Sequence, residues 1–225
     1  MTNSVDLERI YALRFTPDIA FRQEMWQILC AGFFQRYVPA DSIVLEIGAG
    51  YCEFINSIQA AQKIAVDLNP DTGRYAASDV QVLRTPATDL SALESSSVDI
   101  AFASNFFEHL SREDILGAMR EVRRVLTANG RFLILQPNYR YCYRKYWMFF
   151  DHLTALDHDS LAEALATAGF QTVQMIPRFL PYTTKSRMPR FPSLIKAYLR
   201  YPIAWRFLGQ QAFAVARIAP GDGRV

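Results

Sequence analysis

The chain has no apolar run of about 18 residues, so no membrane-spanning helix is expected. Cysteine is sparse. Cys30, Cys52 and Cys142 stand far apart with no CxxC spacing, which argues against a disulfide framework and fits reduced thiols in a cytoplasmic protein. The opening "MTNSVDLERI" carries acids early and has no apolar core, so it does not read as a secretory signal. Acidic residues are missing altogether between Ala164 and Arg217, where Arg178, Lys185, Arg187, Arg190, Lys196, Arg200, Arg206 and Arg217 fall. Such a segment is either a solvated basic face or a site facing phosphate, carboxylate or an anionic membrane. Net charge is only +2, so this asymmetry is local.

What is present describes one folded domain over 1–225: 51% of residues are hydrophobic and 20% charged. Apolar periodicity predicts an N-terminal helix over 17–37, with Thr16 as cap and Pro17 in its first turn. After Pro39 short apolar runs alternate with helices. Strands are expected at 42–48, 63–68, 80–84, 98–104, 131–137 and 171–176, and a last one at 211–217. A connecting helix is expected over 52–62. Another begins at the Ser111-x-x-Asp114 box and ends at Asn129-Gly130, and a third runs through "DSLAEALATAGF" to Gly169. The class is α/β: a Rossmann-like, doubly wound, mostly parallel sheet with an antiparallel last strand. The aromatic stretch 138–156 reads as a cap over a pocket. A helical insertion at about 189–209 should be broken by Pro202.

The run "VLEIGAGYCEF" ends a buried strand on Gly48-Ala49-Gly50. A dinucleotide would want a third glycine where Glu53 stands, and a carboxylate beside a pyrophosphate is unfavourable. S-adenosylmethionine (SAM) carries no phosphate and fits better. Glu46 can organise the turn around a cation, and Asp67 after the second strand can accept ribose hydroxyls. Asp89 after the third can accept an adenine amino group, and Asn105 follows the fourth.

In order and spacing, Glu46–Gly50, Asp67, Asp89, "VDIAFASNFFEHL" and "EVRRVLTANGRFLILQPN" resemble a class I SAM-dependent methyltransferase of the type 11 group over about residues 40–176. The resemblance implies cofactor contacts at Glu46, Gly48, Ala49, Gly50, Asp67, Leu68, Asp89, Leu90, Asn105 and Phe106. The continuation "FFDHLTALDHDSLAEALATAGF…PRFLPYTTKSRMP" is similar to a bacterial subgroup linked to surface glycan or glycolipid modification. Cys52 departs from the usual third glycine of the loop, and Ala128-Asn129 from the usual Pro-Gly.

The implied reaction moves a methyl group to a small or lipid-linked acceptor, with a sugar hydroxyl as the expected target. Glu108 and His109 follow the fourth strand, where, by the resemblance, some small-molecule members of the family place groups that assist proton removal; packing beneath the loop is the competing role for His109. His152, with Asp151 able to orient it, is a further catalytic candidate, or else a helix-capping residue. Two Asp-His pairs within nine residues suggest metal ligands, but a capped helix start would disturb that geometry, so no metal is expected. No nucleic-acid partner is expected either: "SNFF" stands where an amino-methylating motif would be, and no basic stripe crosses the first 130 residues. A SAM-binding module without turnover and an NAD-dependent oxidoreductase are the alternatives. The basic, aromatic C-terminal segment could cap the acceptor, meet an anionic bilayer or simply pack.

Overall fold

The computed structural model describes Arg9, residues 18–182 and residues 191–221. Thr16 and Pro17, expected to open the first helix, and Lys185, Arg187 and Arg190 lie outside the described residues. Helix α1 (Ile19–Gly32) passes into a 3₁₀ turn at Phe34–Tyr37. There follow β1 (Ile43–Ile47), α2 (Glu53–Ser57), β2 (Gln62–Val66), α3 (Thr72–Tyr75), β3 (Val80–Leu83) and β4 (Val98–Ser104). The second half holds α4 (Arg112–Val125), β5 (Leu126–Pro137), α5 (Tyr139–Tyr146), α6 (His158–Thr167) and β6 (Phe170–Ile176). It closes with α7 (Pro192–Arg200), α8 (Ile203–Leu208) and β7 (Gln211–Ile218).

The strands form one sheet in the order β3-β2-β1-β4-β5-β7-β6. Strands β1 to β5 run parallel, and β7 is antiparallel to both its neighbours. The chain winds outward from β1 to β3 and then returns to the other side of β1. That switch point, between β1 and β4, is where sheets of this class open a crevice.

Strand periodicity explains the near-continuous apolar runs. Leu45, Ala101, Phe132 and Ile134 face α4 and α6, while Val44, Phe102, Leu133 and Leu135 face α1. Both faces are covered, so apolar residues fill both alternate positions except where Glu46 and Gln136 approach the site. On the α1 side the filling is aromatic: Phe54 stacks on Phe102 at 3.7 Å between ring centroids, and Trp26 meets Phe102 edge-on at 6.1 Å.

Several boundaries differ from the sequence expectation. The helix expected over 52–62 is one short turn, Glu53–Ser57, because Ile58 is extended and the Ala61 and Gln62 amides both donate to Ser42 O, drawing the chain into β2. The helix expected to end at Asn129-Gly130 stops at Val125. Leu126 is fully buried and already pairs with Val98 of β4, and the register then jumps so that Arg131 pairs with Ile100. Gly130 belongs to that bulge: a Cβ there would lie 3.0 Å from Thr127 O and 3.1 Å from Asp99 O. The Ser111 cap is as expected, its Oγ accepting from the Asp114 amide at 3.1 Å. The break at Pro202 between α7 and α8 is also present. Among the described residues no helix is long and apolar enough to cross a membrane.

Candidate active site

The glycine turn leaves β1 through left-handed backbone, with Gly48 at φ 66° and Gly50 at φ 52°. Its shape is set from β2. The Gly48 and Ala49 amides donate to Val66 O at 2.8 and 3.2 Å, and the Gly50 amide donates to Asp67 Oδ2 at 2.7 Å. Cys52 also lies in the left-handed region, at φ 60°, which accounts for the glycine usual at that position. Glu46 is buried beneath the turn and accepts the Ile55 amide at 3.1 Å. Burial pushes its carboxyl well above the ordinary range.

Asp67 is more structural than its sequence position indicated. Besides Gly50, it accepts the Asn69 amide at 2.7 Å, so each carboxylate oxygen holds a backbone N–H. Burial raises its pKa, with those two amides and a third, from Leu68, opposing the shift. Asp67→Ala should therefore cost stability as well as any cofactor contact. Two buried donors would lose their acceptor, at about 1–3 kcal/mol for each left unsatisfied. Urea denaturation checks this, and an unchanged unfolding midpoint would contradict the role.

Asp89 is exposed; hydrogen bonds from the Ser91 hydroxyl and then from the Ser91 amide, the latter at 3.1 Å, lower its pKa. Leu90 is buried, its amide donating to Glu121 Oε2 at 2.9 Å. Leu68 is exposed at the end of β2. Asn105 sits at φ 48°, a conformation asparagine tolerates, with its side-chain Nδ2 donating to Ser104 Oγ at 3.0 Å. The Phe106 ring lies against Gly48, so a side chain there would overlap it.

A cavity of about 530 Å³ opens at the carboxyl ends of β1 and β4. Glu46, Gly48, Ala49, Gly50 and Asn105 line one part of it, and Glu108, His109 and His152 line another. Asp67, Leu68, Asp89, Leu90 and Phe106 are not among its lining residues; Asp67 and Phe106 touch the turn, at Gly50 and Gly48. Sequence reasoning missed Arg22 of α1, whose Nε donates to Glu53 Oε1 at 2.6 Å at the cavity wall. The visible signal was Glu53 itself, a carboxylate in a place where a dinucleotide-binding loop carries glycine.

The second part of the cavity concentrates titratable groups. Glu108 is buried, its Oε2 accepts from Gln136 Nε2 at 3.0 Å, and burial raises its pKa. His109 Nδ1 lies 3.2 Å from Asp151 Oδ2, and its Nε2 lies 3.9 Å from Glu108 Oε1. The carboxylate of Asp151, the residue next to His152, thus lies against His109. His152 packs edge-on to His109, with ring centroids 5.0 Å apart, and stacks on Phe149. The segment after α5 is held there by backbone, since the Leu153 and Thr154 amides both donate to Glu108 O, at 2.7 and 3.1 Å.

A family model described as a methyltransferase domain matches residues 45–134, from β1 into β5. Among solved structures, a SAM-dependent methyltransferase from Archaeoglobus fulgidus is 19% identical, with a TM-score of 0.67 over 90% of this chain and 98% of that one. A SAM-dependent methyltransferase from Thermotoga maritima is 16% identical, with a TM-score of 0.66 over 94% and 99%. A TehB-like one from Corynebacterium glutamicum is 15% identical, with a TM-score of 0.61 over 96% and 100%. No curated protein matches the chain. At these identities the structures establish the class I methyltransferase fold. The matched domain, which spans 90 of the 225 residues, agrees with that fold and is of the methyltransferase kind. S-adenosylmethionine is the cofactor that the matched domain and these neighbours imply, and Glu53 beside the turn would oppose a pyrophosphate.

Proposed function

We propose that the chain methylates a hydroxyl group on a lipid-linked acceptor, a glycolipid. The observation that supports this reading is the continuity of the cavity. From the glycine turn and the Glu108–His109 corner it runs into a chamber walled by Trp26 and Leu29 of α1 and by Leu194, Tyr198 and Leu208 of α7 and α8. A bare sugar would leave its hydroxyls without partners against such walls, while an acyl or prenyl portion fills them favourably. Outside the chamber, Phe191, Ile203 and Phe207 are 61%, 60% and 73% exposed beside the exposed Lys196, Arg200 and Arg206. Apolar bodies with basic heads suit shallow contact with an anionic bilayer.

In this reading Gly48, Ala49 and Gly50 leave room for the methionine portion, and Glu46 fixes the turn from below. Asp67 and Leu68 meet the ribose, Asp89 and Leu90 the adenine, and Asn105 and Phe106 close over the middle. Bound SAM supplies a methyl group on a sulfonium, which becomes a neutral thioether when an oxygen nucleophile displaces it. The chain's own work is alignment, exclusion of water by α1 and the 138–156 cap, and removal of the hydroxyl proton at the Glu108–His109 corner. A SAM-binding module without turnover would keep the turn and need no such corner.

Sedimentation with anionic vesicles tests the lipid-facing part. Binding should be salt-sensitive and should weaken by about 1 kcal/mol for each of Lys196, Arg200 and Arg206 changed to Gln. No co-sedimentation at low salt would leave a soluble acceptor. Labelled-methyl transfer to extracted lipid-linked glycans separates an enzyme from a silent binding module.

A further inference from the structure

We propose that Glu108, His109 and His152 form a binding site for one divalent transition-metal cation at the floor of the cavity. Each residue offers one ligand atom, and these atoms lie within 4.8 Å of one another. Ligands on a common ion at about 2.0–2.2 Å sit roughly 3–3.5 Å apart, so small side-chain rotations close the set. Glu108 Oε1 and His109 Nε2, at 3.9 Å, are already near that spacing. Two imidazoles and a carboxylate suit zinc, manganese, iron or cobalt rather than calcium or magnesium. Only three protein ligands are supplied and all three residues line the cavity, so the remaining positions face the acceptor's chamber.

The groups behind the ligands support the assignment. Asp151 presents both its backbone O and its Oδ2 to His109 Nδ1 at 3.2 Å, two acceptors that favour the tautomer with the proton on Nδ1 and a lone pair on Nε2 toward Glu108. Gln136 Nε2 holds the other oxygen of Glu108 at 3.0 Å. A carboxylate behind a histidine and an amide behind a carboxylate are how metal ligands are usually oriented. Burial of Glu108 beside two imidazoles also favours a compensating cation over a bare carboxylate.

Of the two Asp-His pairs visible in the sequence, Asp151-His152 supplies one ligand and the residue behind His109, while the second pair shows why spacing alone misleads. Asp157, His158 and Asp159 are also close together. There, however, Asp157 caps α6 through the Asp159 and Ser160 amides, and both aspartates already pair with Arg140, at 2.8 and 2.7 Å. Arg140 supplies the cation that cluster needs.

The use of the ion, though not its binding, rests on the proposed hydroxyl transfer. An acceptor hydroxyl on the ion would lose its proton to water in the cavity more readily. Its oxygen would then form the bond to the methyl carbon as the carbon–sulfur bond breaks.

The test uses the full chain after chelator treatment, titrated with Co²⁺ and followed by visible absorption, with Zn²⁺ and Mn²⁺ followed by calorimetry. One Co²⁺ per chain is expected, with a ligand-field spectrum showing nitrogen ligation. His152→Ala and Glu108→Gln should abolish the spectrum. Asp151→Asn, which keeps the shape, should weaken affinity by about 10–100-fold. Asp159→Asn should change nothing. Absence of Co²⁺ binding, or a spectrum that survives both His152→Ala and Glu108→Gln, overturns the site. Binding of demethylated SAM product is measured in the same samples without metal. Its loss would speak against the cofactor reading, and its retention alongside failed Co²⁺ binding against the metal site alone.

Discussion

Glu108→Gln and His109→Ala are each expected to lower turnover by roughly 10²–10⁴-fold while the affinity for SAM is retained. The two effects separate because the residues stand at different parts of the cavity from the turn. Glu108 is held by Gln136 and by the backbone of 153–154, bonds that do not reach Gly48–Gly50. A hydroxyl nucleophile needs its proton removed or its oxygen polarised, and this corner holds the concentrated charge near Asn105 at the end of β4. Labelled-methyl turnover and calorimetric titration, done on the same preparations, are the measurements. Unchanged turnover in both variants would sink the hydroxyl reading and leave alignment without proton removal.

Gly48→Val should lower SAM affinity by at least about a hundredfold, equivalent to about 2.7 kcal/mol. Two costs act together. At φ 66° a β-branched residue is strained by about 1–3 kcal/mol. Its Cβ would also overlap the Phe106 ring, so either the turn or the ring must shift, and both border the proposed cofactor position. Gly48→Ala carries the same overlap with less backbone strain and should fall between. Titration with SAM's demethylated product checks the series, with circular dichroism to confirm that the sheet persists. Normal binding by the valine variant would falsify the assignment of the turn.

Much of the architecture was legible because its causes are local. The Ser111 cap, the Gly169 helix end at φ 84° and the break at Pro202 depend on residues within one turn of each other. Apolar runs longer than half-buried strands allow announced a sheet covered on both faces. Errors came where a long-range contact beat a local preference. The helix expected to reach Gly130 lost its last turn because Leu126 gains more from pairing with Val98 in the sheet. The helix after Cys52 was cut short by Ser42 O, which accepts two amides from the start of β2.

The site divides along the same line. The sequence by itself determined the glycine turn, the acids that follow successive strands, and the Glu108-His109 step after β4, since each is fixed by position relative to a strand end. Tertiary structure alone decided how those residues are used. It turned Asp67 inward to hold two amides, left Asp89 at the surface, and brought Asp151 across 42 residues to His109. It also joined α1 to α7 and α8 as one apolar chamber. Periodicity and capping report forces acting over a few residues. Which side chains converge depends on sheet register and on backbone bonds such as those from Leu153 and Thr154 to Glu108, which leave no local pattern to read.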